Sequence, residues 1–108
     1  MSITIHIYYT GKNGAAKQFA REMTDSGIVD AICSEKGNLN YDYFLPMNDS
    51  ETVLLIDSWQ SQVDLDRHHS SEIMEKITKL REKYDLHMKV ERFAQEKNNE
   101  SDEAFIRK

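Results

Sequence analysis

The stretch from residue 53 to residue 69, VLLIDSWQSQVDLDRHH, decides the fold of this chain. Its first half is almost continuously apolar and ends in Trp59, which is typical of a buried β-strand. Its second half is polar, and Ser61 is a good helix N-cap, so we predict a short helix that ends at His69. Leu65 marks the side of that helix that faces the sheet, and the histidine pair lies within one helical turn of it.

The segments on either side complete an alternating order of strands and helices. We predict strands at residues 3–9, 38–45, 51–59 and 86–93, where apolar residues alternate with polar ones or form short runs. Residues 28–33 are consistent with either a helical turn or a packed loop. Two longer helices are indicated by apolar residues at helical spacing, namely Ala16, Phe19, Ala20 and Met23, then Ile73, Ile77, Leu80 and Tyr84. The order β-α-β-β-α-β predicts a ferredoxin-like α+β domain, with an antiparallel sheet and helices on one face.

The length of 108 residues suits a single domain with one core. We assign residues 1–94 to that domain and residues 95–108 to a charged C-terminal tail. The tail finishes with Phe105 and Ile106, and a freely disordered segment has little reason to end in two large apolar groups. We therefore predict that the tail docks at its end.

Composition limits the classes of partner. The net charge of −5 argues against a nucleic-acid partner, for which clustered Lys and Arg are expected. The single cysteine, Cys33, excludes an intrachain disulfide, suits a reducing compartment and is predicted to be a buried small hydrophobe. We find no apolar run of membrane-spanning length and no basic-then-apolar N-terminal stretch, so we expect a cytoplasmic protein without a membrane partner.

The third strand has apolar side chains on both of its faces. Leu54 and Ile56 point away from the helices if Leu55 points toward them, and Phe44 adds an aromatic ring to the same far face. A covering loop could shield these groups. We favour the alternative that two sheets face each other in a homodimer, since an apolar patch of this size is unusual on a soluble monomer.

His68 is the candidate catalytic residue, because an imidazole titrates near neutral pH and can accept a proton from a bound substrate. The structural alternative is a half-buried His68 bonded to Asp64 or Glu72, each four residues away. Its neighbour His69 is the less favoured of the pair.

Several other residues are candidates for substrate binding. Trp59, Tyr41 and Tyr43 could stack on a flat aromatic molecule, although aromatic residues of small domains are more often core residues. His6, on the first strand, is expected to line a cavity or to meet a dimer partner. Asp57 is costly to bury without a partner, so we expect it at the end of the sheet, paired or hydrated.

The sequence offers little for a metal or an organic cofactor. Adjacent residues on a helix lie about 100° apart, so His68 and His69 cannot easily share one ion. No glycine-rich phosphate loop, nucleophile elbow or flavin or nicotinamide fingerprint is present in the sequence. We therefore expect no metal and no cofactor.

Gly37 before an aromatic-rich strand, Trp59 at the end of the next strand and His68 on the following helix resemble the antibiotic biosynthesis monooxygenase (ABM) domain family over roughly residues 2–93. The resemblance is to its quinol-monooxygenase-like members and implies a dimeric α/β barrel. It also implies a cofactor-free monooxygenase that oxidises a small quinol or phenolic substrate with O2.

In the mechanism that the resemblance implies, the deprotonated substrate itself reduces oxygen. His68 would be the base, Trp59 with Tyr41 or Tyr43 would form the pocket walls, and His6 would be a second polar contact. A heme-degrading branch of the family is disfavoured, since the first strand has no Asn and Thr78 stands where that branch has its heme-ligating His. The alternative function is a small-metabolite isomerase or a non-catalytic binding protein of the same fold.

Overall fold

A computed structural model gives the architecture of the chain and describes residues 1–96 and 99–108. The strands are β1 Ile3–Thr10, β2 Asn38–Phe44, β3 Thr52–Trp59 and β4 His87–Ala94, and the helices are α1 Ala15–Asp25, α2 Ile28–Cys33, α3 Gln62–His69, α4 Glu72–Lys83 and α5 Glu100–Glu103. The strands form one antiparallel sheet in the order β2-β3-β1-β4. The predicted ferredoxin-like α+β fold is therefore confirmed.

The sheet is open, with β2 and β4 at its edges. One chain therefore does not close the α/β barrel that the family resemblance implies, because closure abolishes sheet edges. A barrel would need the sheet of a second copy, and that pairing stays a prediction.

The predicted strands and helices agree with the structure to within one or two residues at their ends. Residues 28–33, for which the sequence allowed either a helical turn or a loop, form helix α2, and this helix directs Ile32 into the core. Cys33, the next residue, is exposed, so its predicted burial is wrong. The reason is geometric, since successive helical residues point about 100° apart and only one of the two can face the core.

Gly37 fixes how the chain passes from α2 into β2. Its φ angle is +83°, and a Cβ atom at this position would collide with the side chain of Asp64. The Gly37 carbonyl also accepts a hydrogen bond from the amide of Gln60 at 2.8 Å. This turn brings the segment before β2, which includes Glu35, against helix α3.

The core lies between the helices and one face of the sheet, which we call the covered face. This face carries Tyr9, Leu55 and Trp59, and the helices supply Ala16, Phe19, Met23, Ile32, Leu65 and Ile77. Alternation along the strands places other residues on the opposite face, which we call the second face. Its members include His6, Leu54, Ile56, Phe44 and Phe93.

The end of the C-terminal tail is a short helix, α5, followed by exposed apolar residues. Phe105 is 89% exposed and Ile106 is 48% exposed. Docking of this end onto another surface, such as a partner subunit, stays a prediction.

Candidate functional site

Helix α3 carries His68 into the interior of the protein. Ser61 caps the helix, and its hydroxyl accepts a hydrogen bond from the amide of Asp64 at 3.3 Å. Leu65 is buried on the inward side, and His68, three residues later, is buried on that side as well. His69 is exposed. His68 is therefore the inward-facing histidine of the pair.

The imidazole of His68 lies almost flat against Trp59. The two ring centroids are 4.7 Å apart and the ring planes differ by 26°. Trp59 is fully buried at the end of β3. This stacking fixes the plane of the imidazole and keeps water away from one of its faces.

His68 is bonded to Glu35, which precedes β2. The distance from His68 Nδ1 to Glu35 Oε2 is 2.6 Å. The expected structural partners are not used, and Asp64 instead accepts hydrogen bonds from Arg67 and Ser61. Because a carboxylate can only accept, His68 Nδ1 donates, and Nε2 of the neutral ring is left free to accept a proton.

Burial lowers the pKa of His68 below its ordinary value of 6.5, and the negative charge and hydrogen bond of Glu35 oppose this shift without reversing it. The imidazole is therefore neutral at neutral pH. A neutral imidazole with one free nitrogen is the form that a general base requires.

Asp57 lies in the middle of the site rather than at the end of the sheet. It is the sixth of the eight residues of β3, points to the covered face and is only 4% exposed. The expected position at the end of the sheet is therefore wrong. β3 places Asp57 between Leu55 and Trp59 along the strand, with Tyr41 across on β2.

Burial raises the pKa of Asp57 from 3.8 to about 7. The indole N–H of Trp59 opposes this rise and the charge of Glu35 adds to it. The Trp59 contact is weak, because neither Asp57 Oδ1 nor Trp59 Nε1 has a hydrogen-bond partner of normal geometry among the described residues. Near pH 7 the Asp57 carboxyl can therefore exist in either protonation state.

Three tyrosines and an arginine complete the polar surroundings. Tyr41 and Tyr43 contact each other edge to face with centroids 5.9 Å apart, and the hydroxyl of Tyr9 accepts a hydrogen bond from Arg81 Nη2 at 2.8 Å. Burial raises the pKa of each of the three phenols, so all three stay protonated at neutral pH. We call this set the buried polar cluster, and its members are Tyr9, Tyr41, Tyr43, Asp57, Trp59, His68 and Arg81.

Electrostatic effects connect the members of the cluster. The charge of Arg81 lowers the pKa of both His68 and Tyr43. Four buried polar atoms of the cluster have no hydrogen-bond partner within residues 1–96 and 99–108, namely Tyr43 Oη, Asp57 Oδ1, Trp59 Nε1 and Arg81 Nε. Buried polar atoms are rarely left unpaired, so four in one cluster make it the candidate functional site.

His6 is not part of this cluster. It lies on the second face, opposite Ile56 on β3 and Glu91 on β4. Its ring contacts Phe93, with centroids 4.7 Å apart, and both residues line a shallow cleft of about 390 Å³. Of the predicted site residues, His68 stacks on Trp59 and Tyr41 contacts Tyr43, both pairs on the covered face, whereas His6 lies on the second face.

Some members of the site were not predicted as site residues from the sequence. The sequence singled out Asp57, since a lone carboxyl in an apolar strand is unusual. It was nevertheless expected at the end of the sheet and not in the buried polar cluster. Glu35, Tyr9 and Arg81 carried no signal, because their contacts with the site join distant parts of the chain.

The described parts of the chain offer neither a metal site nor a membrane-spanning helix. No group of three or more His, Cys, Asp or Glu side chains there could hold a metal ion. Within the same residues, no helix combines the length and the apolar character needed to cross a membrane.

The sequence profile of the family described as antibiotic biosynthesis monooxygenase matches residues 2–80. The chain belongs to this family. The match covers β1 through most of α4, and so includes every member of the buried polar cluster except Arg81. No curated protein matches the chain.

Solved structures share the ABM fold with this chain at low sequence identity. A candidate antibiotic biosynthesis monooxygenase from Deinococcus radiodurans has a TM-score of 0.77 and 17% identity, covering 92% of this chain and 97% of its own. A Pseudomonas aeruginosa protein has a TM-score of 0.75 and 24% identity, with coverages of 89% and 95%. SnoaB, a cofactor-independent oxygenase from Streptomyces nogalater, has a TM-score of 0.74 and 10% identity, with coverages of 90% and 95%. At such identities the likeness establishes the fold.

Proposed function

We propose that this protein is a cofactor-free monooxygenase that oxidises a small phenol or quinol with O2 at the buried polar cluster. Membership of the ABM family supports an oxygenase. The observation that carries the proposal is the set of four unpaired buried atoms beside a neutral His68. Trp59 Nε1 and Arg81 Nε donate hydrogen bonds, and Asp57 Oδ1 can accept one, which matches the oxygen atoms of a phenol before and after it loses its proton.

The first step is removal of the phenolic proton. His68 Nε2 is the acceptor, and the bond from Nδ1 to Glu35 stabilises the imidazolium that forms. The guanidinium of Arg81 and the indole N–H of Trp59 stabilise the phenolate. Trp59 Nε1 and Arg81 Nε act strongly because these two atoms are buried, where water does not screen them.

The phenolate then reduces oxygen without help from another reductant. Electrons pass from the ring to O2, a bond forms between one oxygen atom and the para carbon, and the O–O bond breaks. A phenol with a free para position and one O2 give a para-quinone and one water, so four electrons leave the substrate and O2 accepts four. The protein supplies a base, oriented donors and a dry pocket.

We also propose that the protein works as a homodimer joined through the second face. Phe44 and Phe93 are 45% and 46% exposed there, and Leu54 and Ile56 are half-buried beside them. Apolar groups on the open face of a sheet are stabilised when a second sheet covers them.

Oxygen uptake with an isotopic label tests the proposed reaction. We would mix the protein with 1-naphthol, whose para carbon is free, under ¹⁸O₂ and analyse the products by mass spectrometry. The expected result is one ¹⁸O atom in each quinone product and one in water. Products that form at the rate of a protein-free control, or that contain no ¹⁸O, would contradict the proposal. Tight binding without oxygen consumption would favour the non-catalytic alternative.

A further inference from the structure

A cleft outside the buried polar cluster lies between α1 and the β2 side of the sheet. Its volume is about 300 Å³, within the range of small-molecule sites. The residues that line it are Lys17, Ala20, Arg21, Thr24, Asp25, Tyr43, Leu45 and Val53. We call it the α1 cleft.

The α1 cleft has an apolar floor and a charged rim. Val53 and Ala20 form part of the floor, while Leu45 presents an apolar side chain that is 58% exposed. The floor can therefore accommodate the flat face of a small ring.

The rim carries more positive than negative charge. Lys17 and Arg21 lie four residues apart on α1, which places them on the same side of the helix. Neither forms an ion pair within the described part of the chain, and Asp25 is the one acidic residue among those that line the cleft. A net positive rim on a chain of net charge −5 favours an anionic ligand group.

Tyr43 connects the α1 cleft with the buried polar cluster. Its ring lines the cleft, while its hydroxyl is buried and has no hydrogen-bond partner among the described residues. The ring also meets Phe19 edge to face at 6.4 Å. A molecule seated in the α1 cleft would thus lie against the wall of the proposed active site.

We propose that the α1 cleft binds the carboxylate-bearing end of a small aromatic acid, with Lys17 and Arg21 holding the carboxylate and Tyr43 contacting the ring. The binding claim stands on the cleft itself. The proposal concerns binding alone and does not depend on the oxidation proposed at His68.

A pair of fluorescent probes tests the proposal, 1-hydroxy-2-naphthoate and 1-naphthol, which differ only in the carboxylate. The full-length protein should bind the carboxylate about tenfold more tightly, since a hydrogen bond to a charged group contributes about that factor. Replacing Lys17→Met and Arg21→Met together should remove this preference and leave the affinity for 1-naphthol unchanged. The matched control, Lys76→Met with Lys79→Met on exposed positions of α4, changes the net charge equally and should keep the preference.

The location of the probe is checked by NMR. The amides of Ala20 and Thr24 should show the largest shift changes on adding 1-hydroxy-2-naphthoate. Equal affinities of the wild-type protein for both probes would overturn the proposal, as would a preference that survives in the cleft variant or shift changes confined to other regions. The single Arg21→Gln variant gives the same test if the double variant does not fold.

Failure of the proposed function would look different. In that case the probes bind with the expected preference, while neither probe is converted to a quinone under oxygen. If the protein converts both probes at equal efficiency and binds them equally, the proposed oxygenase function stands and the proposal for the α1 cleft is wrong.

Discussion

Each face of the sheet holds a histidine against an aromatic ring, but the surroundings of the two pairs differ. On the covered face, His68 and Trp59 lie 4.7 Å apart and both are buried. On the second face, His6 and Phe93 also lie 4.7 Å apart, yet Phe93 is 46% exposed. A contact between a histidine and an aromatic ring therefore does not by itself distinguish a candidate active site. Burial among other polar groups is what distinguishes His68 from His6.

Burial acts on proton affinities on the covered face. It lowers the pKa of His68 and raises that of Asp57 to about 7. A base that is neutral and a carboxyl that titrates near pH 7 are the groups that proton transfer uses. The second face, in contrast, presents apolar groups that a second copy of the chain could cover.

Removing His68 should produce the largest effect, because it eliminates the proposed base of the covered face. His68→Asn keeps a donor for Glu35 but has no nitrogen that accepts a proton. We expect oxidation to slow by about a hundredfold to ten-thousandfold. The rate is measured by oxygen uptake with the best substrate found, and His69→Ala is the matched control with an expected rate near that of the wild type.

A second variant tests the contribution of Glu35 to the proposed base, His68. Glu35→Gln removes a negative charge that raises the pKa of His68. The pKa of His68 should fall further, so the acid limb of the pH–rate profile should move to lower pH. For the first variant, the contradicting outcome is a wild-type rate. If His68→Asn oxidises substrate at that rate, His68 is structural and the base lies elsewhere.

A charge on the second face should break the proposed dimer. Leu54→Arg places a cation between Tyr8 and Phe44, its neighbours across the sheet, and should weaken dimerisation by more than about a hundredfold, because a buried unpaired charge costs several kcal/mol. Light scattering at micromolar concentration should give twice the chain mass for the wild type and one chain mass for the variant. Val63→Arg, at a position 65% exposed on α3, is the control and should remain dimeric. A wild-type monomer would refute the dimer.

Neutralising Asp57 should have the smallest effect, a pH-dependent gain in stability. The pKa of Asp57 is about 7 in the folded state and 3.8 ordinarily, so the folded state holds this proton more tightly. The free-energy cost of burying the carboxylate reaches its maximum above pH 7. It decreases as the pH falls through 7 and is zero below pH 3.8. Asp57→Asn should therefore raise the free energy of unfolding by about 3 kcal/mol more at pH 8 than at pH 5.

Urea unfolding at the two pH values measures this difference. His68 is present in both proteins, so its own titration cancels in the comparison. Asp42→Asn, on the neighbouring strand and exposed, is the matched control. An equal effect of Asp57→Asn at pH 5 and pH 8 would show that the carboxyl is not held as a neutral group near pH 7.

The fold could be predicted well because its signals are local. The apolar run that ends at Trp59, the cap at Ser61 and the inward position of Leu65 each depend on residues close in sequence, and all three agree with the structure. Helix α2 was left open because six residues are too few to show a clear helical period.

The site could be predicted only in part. His68, Trp59, Tyr41 and Tyr43 all lie on the covered face, since strand and helix alternation aims them at the same side of the sheet, and their common role in a site stays a prediction. His6 was expected as a second polar contact of the pocket, but alternation on β1 places it on the second face, opposite to Ile5 and Ile7, where it lines a separate cleft.

The sequence by itself determined the order of elements, the family, the inward helix that bears His68 and the apolar residues on both faces of β3. Only the tertiary structure decided the partners, because Glu35 reaches His68 across 33 residues and Arg81 reaches Tyr9 across 72. It also decided that Asp57 is buried, since the strand register and the packed helices together remove water from that position. Hydrophobic pattern is a property of neighbouring residues, whereas the pKa of a buried group depends on everything that folding places around it.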